Sequence, residues 1–296
     1  MCASADLPEY SGGVTVTTQM ADTSMINFGV IGTGQFASYF IAALRRGGYD
    51  GNVLLSPRNA DVASTLAHNH ACVVAASADE VLAGADVVLL SVRPEHAEVA
   101  LANLHWERRH TVLCAVAGIR LDDLRTLLPG VGGIHLIVPG SYIEIAPGPI
   151  PLYPPAPGLM PLLSCAGDVV ALPNEAAFNA AMVSLCASTW IYDLAHALAA
   201  ELERHGLEPD AARALTLGNI AGPASFALGV PETSLLDISA GIATERTFTK
   251  AGLDHLKARH FDAPWREVIA RLAEMLKLPA DDSGATVSIC GRCDGM

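Results

Sequence analysis

The fold of this chain is decided by the stretch from Asn27 to Ala37, which reads NFGVIGTGQFA. Its first half is a short, mostly apolar strand, and the residues after its glycines have the apolar spacing of a helix. Gly32 permits the tight turn between the two, and Gly34 lets a pyrophosphate approach the backbone closely. Because strand, glycine turn and helix occur in this order, the stretch predicts the phosphate loop of a dinucleotide-binding domain.

The alternation of strands and helices continues beyond the glycine loop. Strands are predicted at residues 27–31, 52–56, 72–76, 86–92, 111–116, 133–138 and 168–172, and helices at 79–82, 95–104 and 121–128. Buried apolar strands separated by helices are typical of an α/β fold of the Rossmann type, with a doubly wound parallel sheet. The prolines between residues 145 and 161 exclude a helix there, and only edge strands or extended chain are expected.

In a doubly wound sheet, ligands bind outside the carboxyl ends of the strands. The loops at those ends supply the expected cofactor-binding residues, which are Gly32, Thr33, Gly34, Gln35, Phe36, Ala37, Ser56, Arg58, Ser91, Val92, Arg93, Pro94, Ala117 and Gly118. The segment Pro139-Gly140-Ser141 is expected at the same edge of the sheet.

The turn after the second strand indicates which dinucleotide binds. A site for NAD(H) usually has an acidic side chain here that holds the ribose 2′-hydroxyl. This chain instead reads Ser56-Pro57-Arg58-Asn59, with no acid before Asp61. A guanidinium pairs bidentately with a phosphate, so the turn favours the 2′-phosphate of NADP(H) and leaves NAD(H) as the weaker alternative. The other interpretation of Arg58 is an ordinary residue of a surface turn.

Helical patterns dominate the second half, at residues 174–205, 210–228 and 264–278. The first of these is apolar on more than one face, so its burial against a partner subunit is expected. The predicted assembly is a homodimer or higher homo-oligomer formed through the C-terminal helices. The predicted division is a disordered extension at 1–24, an NADP-binding Rossmann domain at 25–172, an all-helical substrate and dimerisation domain at 173–278, and a flexible tail at 279–296.

Composition excludes several classes of function. The formal net charge of −13 and the aromatic content of 5% argue against a nucleic-acid surface, which needs basic and stacking side chains. No apolar run is long enough to cross a membrane, and the scattered cysteines are typical of a cytoplasmic protein. Cys290 and Cys293 form an isolated pair in a polar tail without a second ligand pair for zinc, so no metal site is expected.

With these residues in view, the chain resembles the pyrroline-5-carboxylate reductase family from about Met25 to Leu276. The matching segments are FGVIGTGQFA from Phe28, Ser91-Val92-Arg93-Pro94, Val116-Ala117-Gly118-Ile119, Val138-Pro139 and Ser239-Ala240-Gly241-Ile242-Ala243-Thr244. The chain departs from the family pattern at Gly140, where the family has asparagine, and at Ala243, where it has threonine. It also departs at residues 185–189, where the family has Gly-Ser-Gly-Pro-Ala.

The resemblance implies an NADP(H)-dependent oxidoreductase that reduces the C=N bond of a small cyclic imine carboxylate, 1-pyrroline-5-carboxylate, to proline. It also implies that Ser239, Gly241 and Thr244 bind this imine substrate, and that Ser239 and Thr244 are the catalytic residues. Backbone N–H groups and small hydroxyls at the entrance of the next helix would hold a carboxylate there. An ordinary capping turn contains the same residue types, so that interpretation stays open.

Three other functions remain open. One is a reductase of another imine, and the second is a catalytically silent, dinucleotide-binding regulatory protein. The third is a β-hydroxyacid dehydrogenase, which needs a catalytic lysine on the long interdomain helix. This chain has no lysine between residues 174 and 205, which counts against that class.

Four side chains are candidates for the proton donor that imine reduction needs. His135 and His196 lie on a predicted strand and in the long predicted helix, where a histidine is more often a core residue than an acid. Tyr142 and Tyr192 are comparable candidates. Seven other histidines, His110 among them, are expected on the surface.

Overall fold

The structure, a computed structural model, describes residues 26–276. Its first half contains eight strands: β1 Phe28–Ile31, β2 Val53–Leu55, β3 Val73–Val74, β4 Val87–Leu90, β5 Thr111–Cys114, β6 Gly133–Ile137, β7 Pro149–Tyr153 and β8 Asp168–Ala171. They form a single sheet with the order β3-β2-β1-β4-β5-β6-β7-β8. The strands from β1 to β6 pair in parallel, whereas β7 is antiparallel to β6.

The order of the strands reverses around β1, which places the switch point of the sheet there. Phe28 of β1 pairs with Val53 of β2 on one side and with Val87 of β4 on the other. The crevice above such a reversal is where open α/β sheets bind their ligands. The end of β1 at Ile31 runs directly into the glycine turn, so the loop lies at this crevice.

The helices are α1 Gln35–Arg46, α2 Ala60–His70, α3 Ala78–Gly84, α4 Ala97–Leu101, α5 Leu121–Leu127, α6 Met160–Ala166, α7 Glu175–Arg204, α8 Pro209–Gly229, α9 Leu235–Ile242, α10 Phe248–Ala258 and α11 Ala263–Met275. The core lies on both faces of the sheet. Phe40 of α1 and Leu163 of α6 are fully buried on one face, and Leu124 of α5 is fully buried on the other. The expected α/β Rossmann-type sheet followed by a helical region is therefore confirmed.

The long helix α7 begins against the sheet and continues into the helical half of the chain. Its first turn is capped by Asn174, whose side chain accepts a hydrogen bond from the backbone N–H of Ala177 at 2.8 Å. Phe178 is 4% exposed and packs into the core on the α5 face of the sheet. Because its first two turns pack against the sheet, α7 passes close to the carboxyl ends of β5 and β6.

The expectation of an edge strand in the proline-rich segment is wrong. β7 lies inside the sheet, between β6 and β8. Its even-numbered residues face β8, because Gly148 and Leu152 accept hydrogen bonds from Asp168 and Leu172, both at 2.9 Å. Pro149 and Pro151 therefore face β6, but they lie beyond the two residue pairs that join β6 to β7. Because neither proline is paired with β6, the N–H group that proline lacks costs the sheet no hydrogen bond.

The end of the same segment is also more ordered than expected. A single 3₁₀ turn at Pro157–Leu159 leads into α6, which begins at Met160, so the exclusion of helix up to residue 161 is wrong at its end. Pro161 lies in the first turn of α6, where a missing N–H group leaves no helical hydrogen bond unmade. In addition, the helix predicted at 95–104 is a 3₁₀ turn followed by the short α4.

The structure adds α9 and α10 between the helical regions that the sequence predicts. No helix within residues 26–276 is long and apolar enough to span a lipid bilayer. The cysteine pair Cys290 and Cys293, the predicted extension at 1–24 and the predicted tail at 279–296 lie outside the described residues.

Candidate cofactor and substrate site

The glycine turn begins with Gly32, immediately after β1. Its φ of +99° lies in the region that favours glycine, and a Cβ atom there would lie 2.7 Å from the backbone carbon of Ser91 and the backbone nitrogen of Val92. Any larger residue would therefore force the ends of β1 and β4 apart. This close approach is the physical reason why the tight turn requires glycine, as the sequence predicts.

Side chains from the two neighbouring strands hold the turn in place. The Ser91 hydroxyl, after β4, donates a hydrogen bond to the Gly32 carbonyl at 2.8 Å. The Ser56 hydroxyl, after β2, accepts one from the Gly32 N–H at 3.2 Å. The buried Thr33 hydroxyl donates to the Ser56 carbonyl at 2.8 Å. These contacts fix the loop from below and from both sides before any ligand binds.

The start of α1 has the geometry of an anion site. Gly34 is its N-cap and provides no side chain to satisfy the first turn of the helix. A Cβ atom at Gly34 would have the Gly32 carbonyl oxygen as its nearest neighbour at 4.0 Å, so the space in front of the helix is open. The N–H groups of Gln35 and Phe36 lie at this end, where the helix dipole favours negative charge. The residues present therefore fit a pyrophosphate.

The end of the crevice next to β2 contains a buried hydroxyl and an exposed guanidinium. Ser56 is only 4% exposed, and its hydroxyl is used by the glycine loop. Arg58 is exposed, and it forms no ion pair with any residue in the described range. Of the two residues at which the sequence predicts a contact with the 2′-phosphate, Arg58 is the one whose side chain is open to a ligand.

At the other end of the crevice there is a small, open cavity between the sheet and α7. It is lined by Cys114, Ala115, Val116, Ala117, Gly118, Ile119, Leu136, Ile137, Val138, Phe178, Asn179 and Met182. Ala117 and Gly118 are exposed, and Gly118 has a φ of +76° with nothing within 4 Å of a Cβ position. Burial raises the pKa of the Cys114 thiol to about 12, which makes it an unreactive part of the wall.

The structure brings the predicted cofactor residues to one edge of the sheet. Ser91 and Val92 are half-buried beside the glycine turn, whereas Arg93 and Pro94 are exposed at the start of the 3₁₀ turn that precedes α4. Ala37 is fully buried, as its predicted role in packing the helix on the strand requires.

The predicted substrate loop is not a loop over most of its length. Ser239 and Gly241 lie within α9, and Thr244 follows the end of that helix as an exposed residue. The residue at the entrance of α10 is Thr247, whose side chain accepts from the Lys250 N–H at 3.1 Å and donates to the Thr244 carbonyl at 2.7 Å. The predicted position of Ser239 and Gly241 at a helix entrance is therefore wrong, because Ser234 caps a helix that the sequence does not predict.

The histidines differ in their surroundings. His135 lies within β6, where burial lowers its pKa, while a contact of 2.8 Å between its Nδ1 atom and the Pro154 carbonyl opposes that shift. His196 is exposed on α7, so the expectation that it is a core residue is wrong. The surface position expected for His110 is wrong: it is completely buried, accepts a hydrogen bond from the Glu107 N–H at 3.0 Å and contacts the Leu82 carbonyl at 2.9 Å. Within the described range, no cluster of three or more His, Cys, Asp or Glu side chains is suited to a metal ion.

Comparison with known proteins gives matches to both halves of the chain. The family described as NADP oxidoreductase coenzyme F420-dependent matches residues 27–118. The pyrroline-5-carboxylate reductase of Pseudomonas aeruginosa is 26% identical over 264 residues, which cover 83% of this chain and 96% of that enzyme.

Two solved structures have the same fold. The 1-pyrroline-5-carboxylate reductase of Streptococcus pyogenes superposes with a TM-score of 0.73 at 22% identity, over 85% of this chain and 98% of that one. The NADP-bound pyrroline carboxylate reductase of Plasmodium falciparum superposes with a TM-score of 0.72 at 16% identity, over 86% of this chain and 98% of that one. The resemblance that the motifs indicate is thereby confirmed: the chain is similar to pyrroline-5-carboxylate reductases over most of its length, and the two solved structures share its fold.

Proposed function

We propose that this protein is an NADP(H)-dependent reductase of the C=N bond in a small cyclic imine carboxylate, with 1-pyrroline-5-carboxylate as substrate and proline as product. The observation that carries the proposal is the extent of the match, which includes 96% of the length of the Pseudomonas aeruginosa enzyme. A shared dinucleotide domain alone would leave the reaction open, because many chemistries use that fold. A match that also includes the helical half supports a shared reaction.

The cofactor is NADP(H) in this proposal. The glycine turn and the uncapped start of α1 receive the pyrophosphate, and Arg58 pairs with the 2′-phosphate. The bound NADP of the Plasmodium falciparum relative supports the same choice. Ser56 contributes indirectly in this proposal, because its hydroxyl holds the glycine turn in place.

The nicotinamide supplies a hydride, so the protein has to place the imine carbon beside the ring and keep water away. The cavity between the ends of β5 and β6 and α7 suits this task. Apart from Asn179, its lining side chains are apolar or absent, so they would shield one face of a nicotinamide ring bound over them from water. Gly118 leaves room at its rim because it has no side chain.

Ser239, Gly241 and Thr244 bind the substrate carboxylate in this proposal, with Ser239 and Thr244 beside the reacting ring. In a single chain Gly241 and Thr244 are exposed, so their site has to be completed by another surface. We propose that this surface belongs to a second copy of the chain, so that the C-terminal helices of one subunit face the nicotinamide end of the other.

A homodimer is supported by the apolar side chains that α7–α11 leave uncovered. Phe248 is 99% exposed, and Leu228, Leu235 and Leu236 are each more than 70% exposed. Uncovered apolar residues at this density are typical of an interface. Light scattering at micromolar concentration is expected to report a dimer or a larger homo-oligomer, and Phe248→Asp is expected to weaken it. A stable wild-type monomer would contradict this part of the proposal. The proposed location of the assembly is the cytoplasm.

The function is tested by initial rates with NADPH and two imines, pyrroline-5-carboxylate and the uncharged 2-methyl-1-pyrroline. Turnover of the first imine with a much lower KM than the second supports the proposal. Equal KM values would show that the carboxylate is not recognised, and the protein would then be a reductase of another imine. Tight NADPH binding without turnover of either imine would identify the silent regulatory protein instead.

A further inference from the structure

We propose that Asn179 binds the carboxamide group of the nicotinamide ring, an inference that rests on the NADP(H)-binding part of the function proposed above. Asn179 lies in the second turn of α7 and lines the cavity at the carboxyl ends of β5 and β6. The other side chains that line this cavity are aliphatic, aromatic or sulfur-containing, and Gly118 has none. Asn179 is therefore the one lining residue whose side chain offers both a nitrogen donor and an oxygen acceptor.

The side-chain amide of Asn179 is half-buried, and no residue in the range 26–276 forms a hydrogen bond with it. The other half-buried asparagine of this range is Asn27, which donates to the Asp86 carboxylate at 3.2 Å and accepts from Asn52 at 3.0 Å. Asn174, at the start of the same helix, is used as its cap. Because a buried amide without a partner costs free energy, Asn179 is suited to a ligand that supplies the partner.

The start of α7 fixes the position of Asn179 relative to the sheet. Phe178, the preceding residue, is buried and packs with Met182 on the α5 face of the sheet. Met182 also lines the cavity, and its spacing of three residues from Asn179 puts the two on neighbouring positions of the helix surface. Asn179 is therefore carried by an anchored helix, which holds a ligand group more precisely than a loop does.

The strand order indicates where the nicotinamide end of the cofactor lies. The start of α1, after β1, receives the pyrophosphate, and the adenosine end lies on the side of β2, where Arg58 is exposed. The nicotinamide therefore extends the other way, along the order β1-β4-β5-β6. β5 is two strands away from β1, which is about 10 Å at the usual spacing between strands. A ribose and the ring attached to it extend over such a distance, so the ring reaches the cavity.

The carboxamide of nicotinamide and the side chain of asparagine are complementary amides. The carboxamide NH₂ donates to Oδ1 of Asn179, and the carboxamide oxygen accepts from Nδ2, so each amide satisfies the other. The asparagine is uncharged and adds no charge beside a ring whose own charge changes in the reaction. Holding the carboxamide limits rotation of the ring about its bond to the ribose, as a hydride donor needs in order to present one face to the imine.

The test measures, by isothermal titration calorimetry, the Kd of NADP⁺ and of its 3-acetylpyridine analogue, in which a methyl group replaces the carboxamide NH₂. Wild type is expected to bind NADP⁺ about fivefold to tenfold more tightly, because the analogue cannot donate to Asn179. Asn179→Ala is expected to remove this preference and to weaken NADP⁺ binding by a similar factor. The matched control is Asn69→Ala, which changes an exposed asparagine on α2 and is expected to keep the preference.

Asn179→Asp separates the hydrogen bond from the packing of the side chain. The carboxylate keeps the acceptor and the size of the asparagine, so the preference for NADP⁺ over the analogue is expected to persist. NADP⁺ and the analogue carry the same charge, so the added negative charge affects both alike. 2′-Phospho-ADP-ribose, which lacks the nicotinamide, is expected to bind wild type and all three variants with the same Kd, because the phosphate loop is unchanged.

Equal Kd values of the wild type for NADP⁺ and the analogue, or a preference that persists in Asn179→Ala, overturn the inference and leave NADP(H) binding and the reductase function standing. A wild type that binds neither dinucleotide overturns the proposed cofactor as well. If Asn179→Ala is too unstable to titrate, Asn179→Asp decides, because loss of the preference in that variant also overturns the inference.

Discussion

The hydroxyl of Ser56 accepts a hydrogen bond from the backbone N–H of Gly32 at 3.2 Å, which ties the end of β2 to the glycine turn. Thr33 adds a second tie, because its hydroxyl donates to the Ser56 carbonyl at 2.8 Å. The position where nicotinamide dinucleotides are often discriminated therefore contains, in this chain, a residue that supports the loop. The side chain that can discriminate between NADPH and NADH is therefore that of Arg58, which is exposed.

Ser56→Ala is expected to weaken NADPH and NADH binding by the same factor, about tenfold. The substitution leaves the Gly32 N–H without its partner and loosens a loop that contacts the pyrophosphate common to both cofactors. Fluorescence titration of the two nucleotides measures the two losses. A loss confined to NADPH would show that Ser56 contacts the 2′-phosphate itself.

Arg58→Ala is expected to affect only NADPH. Wild-type protein should bind NADPH at least several-fold more tightly than NADH, and the substitution should remove most of that difference, since a charge-assisted contact to phosphate is lost. Arg125→Ala is the matched control, because Arg125 is an exposed arginine on α5 that pairs with Asp122 at 2.8 Å. Equal wild-type affinities for NADPH and NADH would remove the basis for the proposed choice of cofactor.

Gly34→Val is expected to abolish dinucleotide binding and leave the fold intact. The space around a Cβ atom at Gly34 is open in the protein, because the nearest atom outside its chain neighbours is the Gly32 carbonyl oxygen at 4.0 Å. The same space has to receive the pyrophosphate, so the branched side chain blocks it. Gly158→Val serves as control, because a Cβ atom there also meets nothing within 4 Å. Normal NADPH affinity in a folded Gly34→Val protein would move the phosphate site elsewhere.

Thr244→Ala is expected to raise the KM for the imine far more than the KM for NADPH. Thr244 is exposed beyond the end of α9, so the substitution should leave the helix and the dinucleotide domain unaffected. Thr233→Ala, another exposed threonine of the helical half, is its control. Steady-state kinetics with each substrate varied in turn make the comparison. Unchanged imine kinetics would remove this residue from the proposed substrate site.

The sequence predicts the sheet and the phosphate loop well because their determinants are local. Gly32 and Gly34 lie between an apolar strand and an amphipathic helix, and most residues of the strands that follow are apolar. The prolines of β7 led to the wrong prediction of an edge strand, because their effect on the sheet depends on where β6 ends. Only the three-dimensional register shows that Pro149 and Pro151 lie beyond the last pair with β6.

The helical half and the buried polar residues are harder to predict than the sheet. Ser239 belongs to a helix whose cap, Ser234, is the signal that the sequence reasoning missed: its side chain accepts from the Asp237 N–H at 3.1 Å. His110 is buried because a backbone N–H and a carbonyl satisfy its ring, and neither partner is visible in a linear pattern. Tyr142 is one of several tyrosines until Gly140 and Gly148 are seen to enclose it.

The central claim, hydride transfer from NADPH to a cyclic imine carboxylate, is tested most directly with NADPH deuterated at C4 and synthetic pyrroline-5-carboxylate. With both C4 stereoisomers examined, the account predicts that one of them yields proline with deuterium on the ring carbon of the former C=N bond, in step with NADPH consumption. Proline without deuterium from either isomer, or no proline from a protein that binds NADPH tightly, would contradict it.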